Sequence, residues 1–156
     1  MTTHTHRLFL DKSNPEVYKA LNGVSLAVNR AAEKAGVPRS TLEIMYVWIS
    51  QINRCVTCLE LHSRLAIKAG VPAGVVAQIP VWREAKAFTE EERAALAVGE
   101  MTTTLPDPDY RKQVLAQART TLGDEAFAVI EWAAITLNAY NRVSILSEHP
   151  ALKIER

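Results

Sequence analysis

The sequence predicts an all-α fold, a bundle of about six to seven helices. Three observations carry this prediction: apolar residues recur at helical spacing along most of the chain, no run alternates with the period of a strand, and proline and glycine separate the periodic segments. Short turns of this kind join neighbouring helices in bundles. At 156 residues, the chain has the length of one domain, and we predict that residues 1–156 form one.

The first long helix is predicted to begin at Asn14-Pro15-Glu16, which supplies a cap, a proline at the first position and an acid in the first turn. Gly36 and Pro38 are expected to end it. Its apolar stripe has i, i+4, i+7 spacing and consists of Val17, Leu21, Val24, Val28, Ala31 and Ala35.

The second helix is predicted to begin near Ser40 and is apolar nearly all round as far as Ile52. Such a helix is typical of the middle of a bundle. Glu43 is the exception in this run. Because an unpaired carboxylate in a core costs several kcal/mol, we expect Glu43 to have a partner there.

The third helix carries the only two cysteines of the chain. We expect Asn53 to cap it, Cys55 to lie in its first turn, and the helix to run to about Ala69. Cys58 and His62 then follow Cys55 at i+3 and i+7, within about 60° of one another around the helix axis. Two thiols and an imidazole on one face make a possible reaction centre.

The remaining helices are delimited by start and stop signals. Thr89 and Glu92 have the spacing of a capping box, and Asp107 precedes a proline at a helix start. The predicted helices run from Pro72 to Pro80, from Thr89 to Leu105, from Pro108 to Leu122 and from Asp124 to Leu146.

Composition excludes several function classes. The chain has 18 basic and 17 acidic residues, so its bulk charge does not indicate nucleic-acid binding. No apolar stretch reaches the roughly 20 residues that span a bilayer, and no export signal is visible, so we expect no membrane partner and a cytoplasmic location. In a reducing compartment, a Cys-x-x-Cys pair is more often catalytic or metal-binding than a structural crosslink.

The residues leave open which thiol is the more reactive. A free thiol has a pKa of about 8.5 and is largely protonated at neutral pH, but a helix N-terminus, the adjacent Arg54 and His62 could each favour the thiolate. Helix-dipole and exposure arguments favour Cys55, whereas the imidazole four residues further on favours Cys58.

Proton transfer offers the larger gain in rate. When a thiolate attacks the O–O bond of a peroxide, the departing alkoxide needs a proton, and a positioned acid contributes about 10²–10⁴-fold. His62 could take the proton from Cys58 and pass it on, and a buried Glu43 would orient the imidazole. The second cysteine would then close a disulfide before the sulfenic acid is oxidised further.

The spacing of Glu43, Cys55, Cys58 and His62 resembles the motif of the alkylhydroperoxidase D-like branch of the carboxymuconolactone decarboxylase superfamily. The resemblance covers roughly residues 15–147. It includes further short stretches, namely Asn53, Ala69-Gly70-Val71, Trp82-Arg83, Phe88 to Leu96, and Asn138-Ala139-Tyr140-Asn141-Arg142.

The resemblance implies an alkylhydroperoxidase D-like bundle that assembles as a trimer or hexamer. It implies a peroxiredoxin-type thiol peroxidase that reduces organic hydroperoxides without a metal or organic cofactor. Carried over by position, Cys58 attacks the peroxide, Cys55 resolves the intermediate, and Glu43 with His62 forms the proton relay. The expected reductant is a dithiol, either a lipoyl protein or a thioredoxin-like protein.

One residue departs from the family pattern. Many members have tyrosine directly before the second cysteine, where this chain has Thr57, so substrate preference and efficiency could differ.

Three alternatives to a peroxidase remain at this point. The disulfide could switch a non-catalytic redox-responsive or assembly protein, or Cys55, Cys58, His62 and Glu43 could bind zinc. A carboxymuconolactone decarboxylase-like enzyme is the third, although those decarboxylases lack the cysteine pair. We assign no role to three other residues, His4, His6 and His149. The three tryptophans are interpreted as core residues or subunit contacts, and these are Trp48, Trp82 and Trp132.

Overall fold

Helices make up most of residues 7–152, which are the residues that the computed structural model describes; His4 and His6 lie outside this range. This range contains no strand, and none of its helices is long and apolar enough to cross a membrane. The helices are α1 (Leu10–Ser13), α2 (Pro15–Lys34), α3 (Arg39–Asn53), α4 (Val56–Lys68), α5 (Ala73–Val76), α6 (Glu90–Thr104), α7 (Pro108–Leu122) and α8 (Asp124–Leu146), with a 3₁₀ turn at Ile79–Val81. The all-α prediction is confirmed: six helices are long, and α1 and α5 have four residues each.

Two of the predicted caps are formed by side chains. Thr89 Oγ1 accepts a hydrogen bond from the Glu92 N–H at 3.1 Å, and the Glu92 carboxylate accepts one from the Thr89 N–H at 2.9 Å, which completes the capping box. Asp107 Oδ1 accepts from the N–H groups of Asp109 and Tyr110 at 3.0 and 3.2 Å. These two helices therefore begin where local sequence signals predict.

The predicted side-chain cap at Asn14 is wrong. Asn14 is both the C-cap residue of α1 and the N-cap residue of α2, and its N–H donates to the Leu10 carbonyl at 3.3 Å. Its side chain makes no capping hydrogen bond, so Pro15 at the first position and Glu16 in the first turn are the predicted start signals that remain.

Helix α3 lies between two hydrophobic cores. Leu42, Met45 and Ile49 pack in a core that α3 shares with α2, α6, α7 and α8. Ile44 and Val47 pack in a second core with α4, α6 and the segment between them. Because both sides of α3 are covered, its sequence is apolar nearly all round.

The apolar stripe predicted for α2 lies mostly at the surface of this chain. Val17 and Val24 are 69% and 42% exposed, and Val28 is the stripe residue that is buried. Helix α2 packs against α8 and α1, and it reaches the core through Val28 and Ala32, whereas Ala31 of the predicted stripe is exposed.

Candidate active site

The site begins at the turn between α3 and α4. Arg54 adopts the left-handed conformation (φ 56°, ψ 37°), and the Cys55 N–H donates to the Ser50 carbonyl at 3.0 Å, which closes the end of α3. The predicted cap at Asn53 is wrong, because Asn53 is the last residue of α3. Cys55 is the N-cap of α4 instead, and its Sγ accepts a hydrogen bond from the Cys58 N–H at 3.4 Å.

The Asn53 side chain is held by α8 instead. Its amide nitrogen donates to Asn138 Oδ1 at 2.9 Å and to Asn141 Oδ1 at 3.0 Å. Arg142 also donates to Asn138 Oδ1 at 2.9 Å, and the Asn138 amide donates to Thr103 Oγ1 at 2.9 Å. This polar network joins α3, α6 and α8 directly behind the cysteine turn and fixes its position.

The two cysteines form a disulfide, so the site is described in its oxidised form. Cys55 is 2% exposed and Cys58 is 8% exposed, and Cys58 lines the cavity of the site whereas Cys55 does not. The expectation that exposure favours Cys55 is therefore wrong, because an N-cap residue between the ends of two packed helices is covered by both of them.

Glu43 lies inside the bundle with no exposed surface. Its Oε2 lies 2.7 Å from Nδ1 of His62, which reaches it from α4. Its Oε1 is in ion-pair contact with the Arg39 guanidinium, although no hydrogen bond with good geometry joins the two groups. The carboxylate that α3 carries into the core thus has an imidazole on one oxygen and a cation beside the other.

The second nitrogen of His62, Nε2, makes no hydrogen bond within residues 7–152 and is open to the site. The Tyr46 ring packs edge-on against the imidazole, with ring centroids 5.0 Å apart. Burial raises the pKa of the Tyr46 phenol to about 12, although the nearby Arg39 opposes this shift. Tyr46 is therefore a neutral wall of the site at physiological pH.

A cavity of about 290 Å³ lies in front of these groups, between α2, α3, α4 and α8. This volume is at the small end of the range for pockets that bind organic molecules. The residues that line it include Tyr18, Arg39, Tyr46, Cys58, His62 and His149.

His149 lines the cavity, and no feature of the sequence predicted this position. The Thr57 hydroxyl, next to Cys58 in the chain, donates to the carbonyls of His149 at 3.2 Å and Pro150 at 2.8 Å. The first of these bonds joins residues 92 positions apart, so no local spacing could have predicted it. In this chain, the residue that replaces the usual tyrosine anchors the segment after α8.

The four motif residues form two pairs in this form. Glu43 contacts His62, and Cys55 is bonded to Cys58. Within residues 7–152, no three histidine, cysteine, aspartate or glutamate side chains come together as metal ligands.

A family model described as the carboxymuconolactone decarboxylase family matches residues 15–101, more than half of the chain. The uncharacterized protein YdfG of Bacillus subtilis (strain 168) is 24% identical over 122 residues, which make up 78% of this chain and 83% of that protein. A crystal structure from Agrobacterium tumefaciens, of a protein of unknown function described as a candidate antioxidant defence protein AhpD, superposes with a TM-score of 0.81 at 23% identity. That superposition covers 95% of this chain and 99% of the other, and it confirms the alkylhydroperoxidase D-like fold. The match across residues 15–101 confirms the resemblance found in the sequence, and the chain belongs to the carboxymuconolactone decarboxylase family.

Proposed function

We propose that this protein is a cysteine-based peroxidase of the alkyl hydroperoxide reductase type. One observation carries the proposal: the buried Glu43 carboxylate lies 2.7 Å from His62, and His62 lines the same cavity as Cys58 of the Cys55–Cys58 disulfide. An acid, an imidazole and a redox-active sulfur are the groups that reduction of a peroxide needs.

The first step uses the reduced protein. His62 Nε2 takes the proton from the Cys58 thiol, while the Glu43 carboxylate accepts a hydrogen bond from the Nδ1–H of His62 and stabilises the imidazolium. The Cys58 thiolate attacks the terminal oxygen of an organic hydroperoxide, an S–O bond forms, and the O–O bond breaks. The alkoxide that leaves takes up one proton, which gives an alcohol and a sulfenic acid on Cys58.

The second step restores the disulfide seen here. The Cys55 thiol attacks the sulfenic sulfur of Cys58, and a water molecule leaves as the S–S bond forms. Cys55 is well placed for this role because it is buried beside Cys58 and does not line the cavity. A dithiol then returns two electrons by thiol–disulfide exchange, and a lipoyl protein or a thioredoxin-like protein would supply it.

The cavity supports an organic substrate. Its volume of about 290 Å³ admits a small organic molecule, and Leu61 and Val143 contribute apolar surface to it. We propose that the protein acts as an antioxidant enzyme in the cytoplasm and assembles as a trimer or hexamer.

The proposal is tested by turnover of cumene hydroperoxide with a dithiol as reductant. We expect the wild-type protein to turn over and Cys58→Ser to lose the activity. Cys55→Ser should react once and stop at the Cys58 sulfenic acid, which mass spectrometry of the trapped protein would detect. Full turnover in Cys58→Ser would remove the mechanism.

A redox-responsive protein is the second candidate, and the Thr57 contacts favour it. Thr57 lies beside Cys58 and holds the backbone of His149 and Pro150, so a change at the sulfurs could release the segment after α8. This candidate predicts that reduction of the disulfide changes oligomer mass while peroxide turnover stays at background. Peroxide turnover that depends on Cys58 would exclude it as the sole function.

A further inference from the structure

The segment from Ser147 to Leu152, which we call the C-terminal strap, follows α8 and borders the cavity through His149. Besides the two bonds from Thr57, the Glu60 carboxylate accepts a hydrogen bond from the Leu152 N–H. On the other side, the Leu10 N–H donates to Ser147 Oγ at 3.0 Å. The strap is thus attached both to the start of α4, which carries Cys58, and to α1.

These attachments place the His149 ring at the cavity. The ring stacks on Phe9 with centroids 5.4 Å apart, and its Nε2 lies 3.1 Å from Asp11 Oδ1. The side chains of His149 and Asp11 are 24% and 21% exposed, so this contact is shielded from solvent in large part. Nδ1 of His149 makes no hydrogen bond within residues 7–152 and remains available to a bound molecule.

The cavity therefore has two imidazoles, each oriented by a carboxylate. Glu43 holds His62 from inside the bundle, and Asp11 of α1 holds His149. Both imidazoles line the cavity that Cys58 lines. A carboxylate on one ring nitrogen fixes the ring orientation and leaves the other nitrogen for proton transfer.

The geometry of the proposed reaction gives the two imidazoles different tasks. In an in-line displacement at oxygen, the leaving oxygen departs on the side away from the attacking sulfur. His62, four residues after Cys58 on the same helix, is placed to take the thiol proton, whereas the leaving alkoxide moves towards the rest of the cavity. A second proton donor beside the leaving oxygen can protonate the alkoxide directly. The proton that His62 has taken from Cys58 then does not need to move past the substrate.

We propose that His149, oriented by Asp11, is a second proton-transfer residue of this site and protonates the leaving oxygen of the substrate. The inference rests on the proposed peroxidase function. In this step His149 acts as the imidazolium, with Nε2–H on Asp11 and the transferred proton on Nδ1. The atoms balance: the Cys58 proton goes to His62, the Nδ1 proton of His149 goes to the alkoxide, and water then carries the proton from His62 to His149, which restores both rings.

Leaving-group dependence tests this assignment. An alkoxide from cumene hydroperoxide needs a proton to leave, whereas a carboxylate from peracetic acid leaves without one. In stopped-flow reactions of the reduced protein, His149→Gln should slow oxidation by cumene hydroperoxide on the order of tenfold or more, since a positioned acid contributes about 10²–10⁴-fold. The same variant should react with peracetic acid within roughly twofold of the wild-type rate, and Asp11→Asn should shift the two rates in the same unequal way.

Thr57→Val is the matched structural control. It removes the hydroxyl that holds the strap backbone and leaves the imidazole in the chain, so it should change both peroxide rates in parallel. Equal slowing of both peroxides in His149→Gln would mean that the ring only supports the strap, and wild-type rates with both would mean that it does nothing; either result overturns the inference. If the reduced wild-type protein reacts with neither peroxide, the peroxidase function fails, and this inference fails with it.

Discussion

At the residue scale, Tyr46 connects burial at the site to a measurable pH dependence. Its folded pKa is about 12, above the ordinary phenol value of 10.0, because the ring is buried. As pH rises through 10, the unfolded chain loses this proton and the folded chain keeps it, so stability falls with rising pH. We predict that Tyr46 alone costs about 1 kcal/mol of unfolding free energy between pH 9 and pH 11.

Urea unfolding of the wild type and of Tyr46→Phe at both pH values measures this difference. The phenylalanine variant should lose less stability between pH 9 and pH 11 than the wild type. The other groups that titrate in this range are present in both proteins, so their contributions cancel in the difference. Tyr140 acts in the same direction, because burial raises the pKa of its phenol too. Parallel loss of stability in the two proteins would show that the Tyr46 pKa is not raised.

Single residues also show how far the sequence predicts this site. Glu43 stands out in an apolar run, and its burial follows from hydrophobic periodicity, which is a local property. Its distance to His62 depends on how α4 packs on α3, which hydrophobic periodicity does not predict. The contact between Glu43 and His62 was predicted from the spacing of the family motif. The position of His149 in the cavity could not be predicted from the sequence, because it depends on contacts with Asp11 and Thr57, which are far away in the chain.

At the element scale, Gly99 controls how closely α6 approaches α3. A Cβ at this position would lie 2.7 Å from Met45 Cγ and 3.1 Å from Ile49 Cγ1, and both of these side chains are fully buried. We predict that Gly99→Ala destabilises the protein by roughly 1–3 kcal/mol through overpacking, as measured by thermal or urea unfolding.

Gly23, in the middle of α2, is the matched control. A Cβ there meets nothing within 4 Å, so Gly23→Ala should stabilise the helix by up to about 1 kcal/mol. If the two alanine variants changed stability in the same direction, the close packing of α3 and α6 would not be limiting.

The helix ends show why some elements were predicted and others were not. Helices α7 and α8 begin and end at the predicted residues because Pro108, Gly123 and their neighbours act within one turn. The start of α4 was misplaced because Asn53 remains in α3 as its last residue, and its side chain is oriented towards α8 by the bonds that Nδ2 donates to Asn138 and Asn141. Local signals set boundaries until a tertiary hydrogen bond competes for the same side chain.

At the scale of the whole molecule, α8 exposes large apolar side chains. Trp132 is 59% exposed and Ile135, one turn further on, is 46% exposed. Such a surface suits the proposed trimer or hexamer, because exposed aromatic residues are frequent at subunit contacts. We predict that Trp132→Arg lowers the mass measured by light scattering while helical content stays unchanged.

Trp132→Phe keeps an aromatic surface and should retain the wild-type mass. A wild-type protein that is monomeric at micromolar concentration would contradict the proposed assembly. An oligomer unaffected by Trp132→Arg would show that another surface forms the contact.

The most direct test of the whole account is the rate at which Cys58 of the reduced protein is oxidised by cumene hydroperoxide in Glu43→Gln. The amide cannot stabilise an imidazolium as the carboxylate does, so the second-order rate constant should fall on the order of tenfold to a hundredfold. Glu100→Gln is the control, because Glu100 also lies in an ion pair, 2.7 Å from Arg83, but its carboxylate binds Arg83 and Trp48 and not His62. We expect Glu100→Gln to react at the wild-type rate, and a wild-type rate in folded Glu43→Gln would contradict the proton relay on which the account depends.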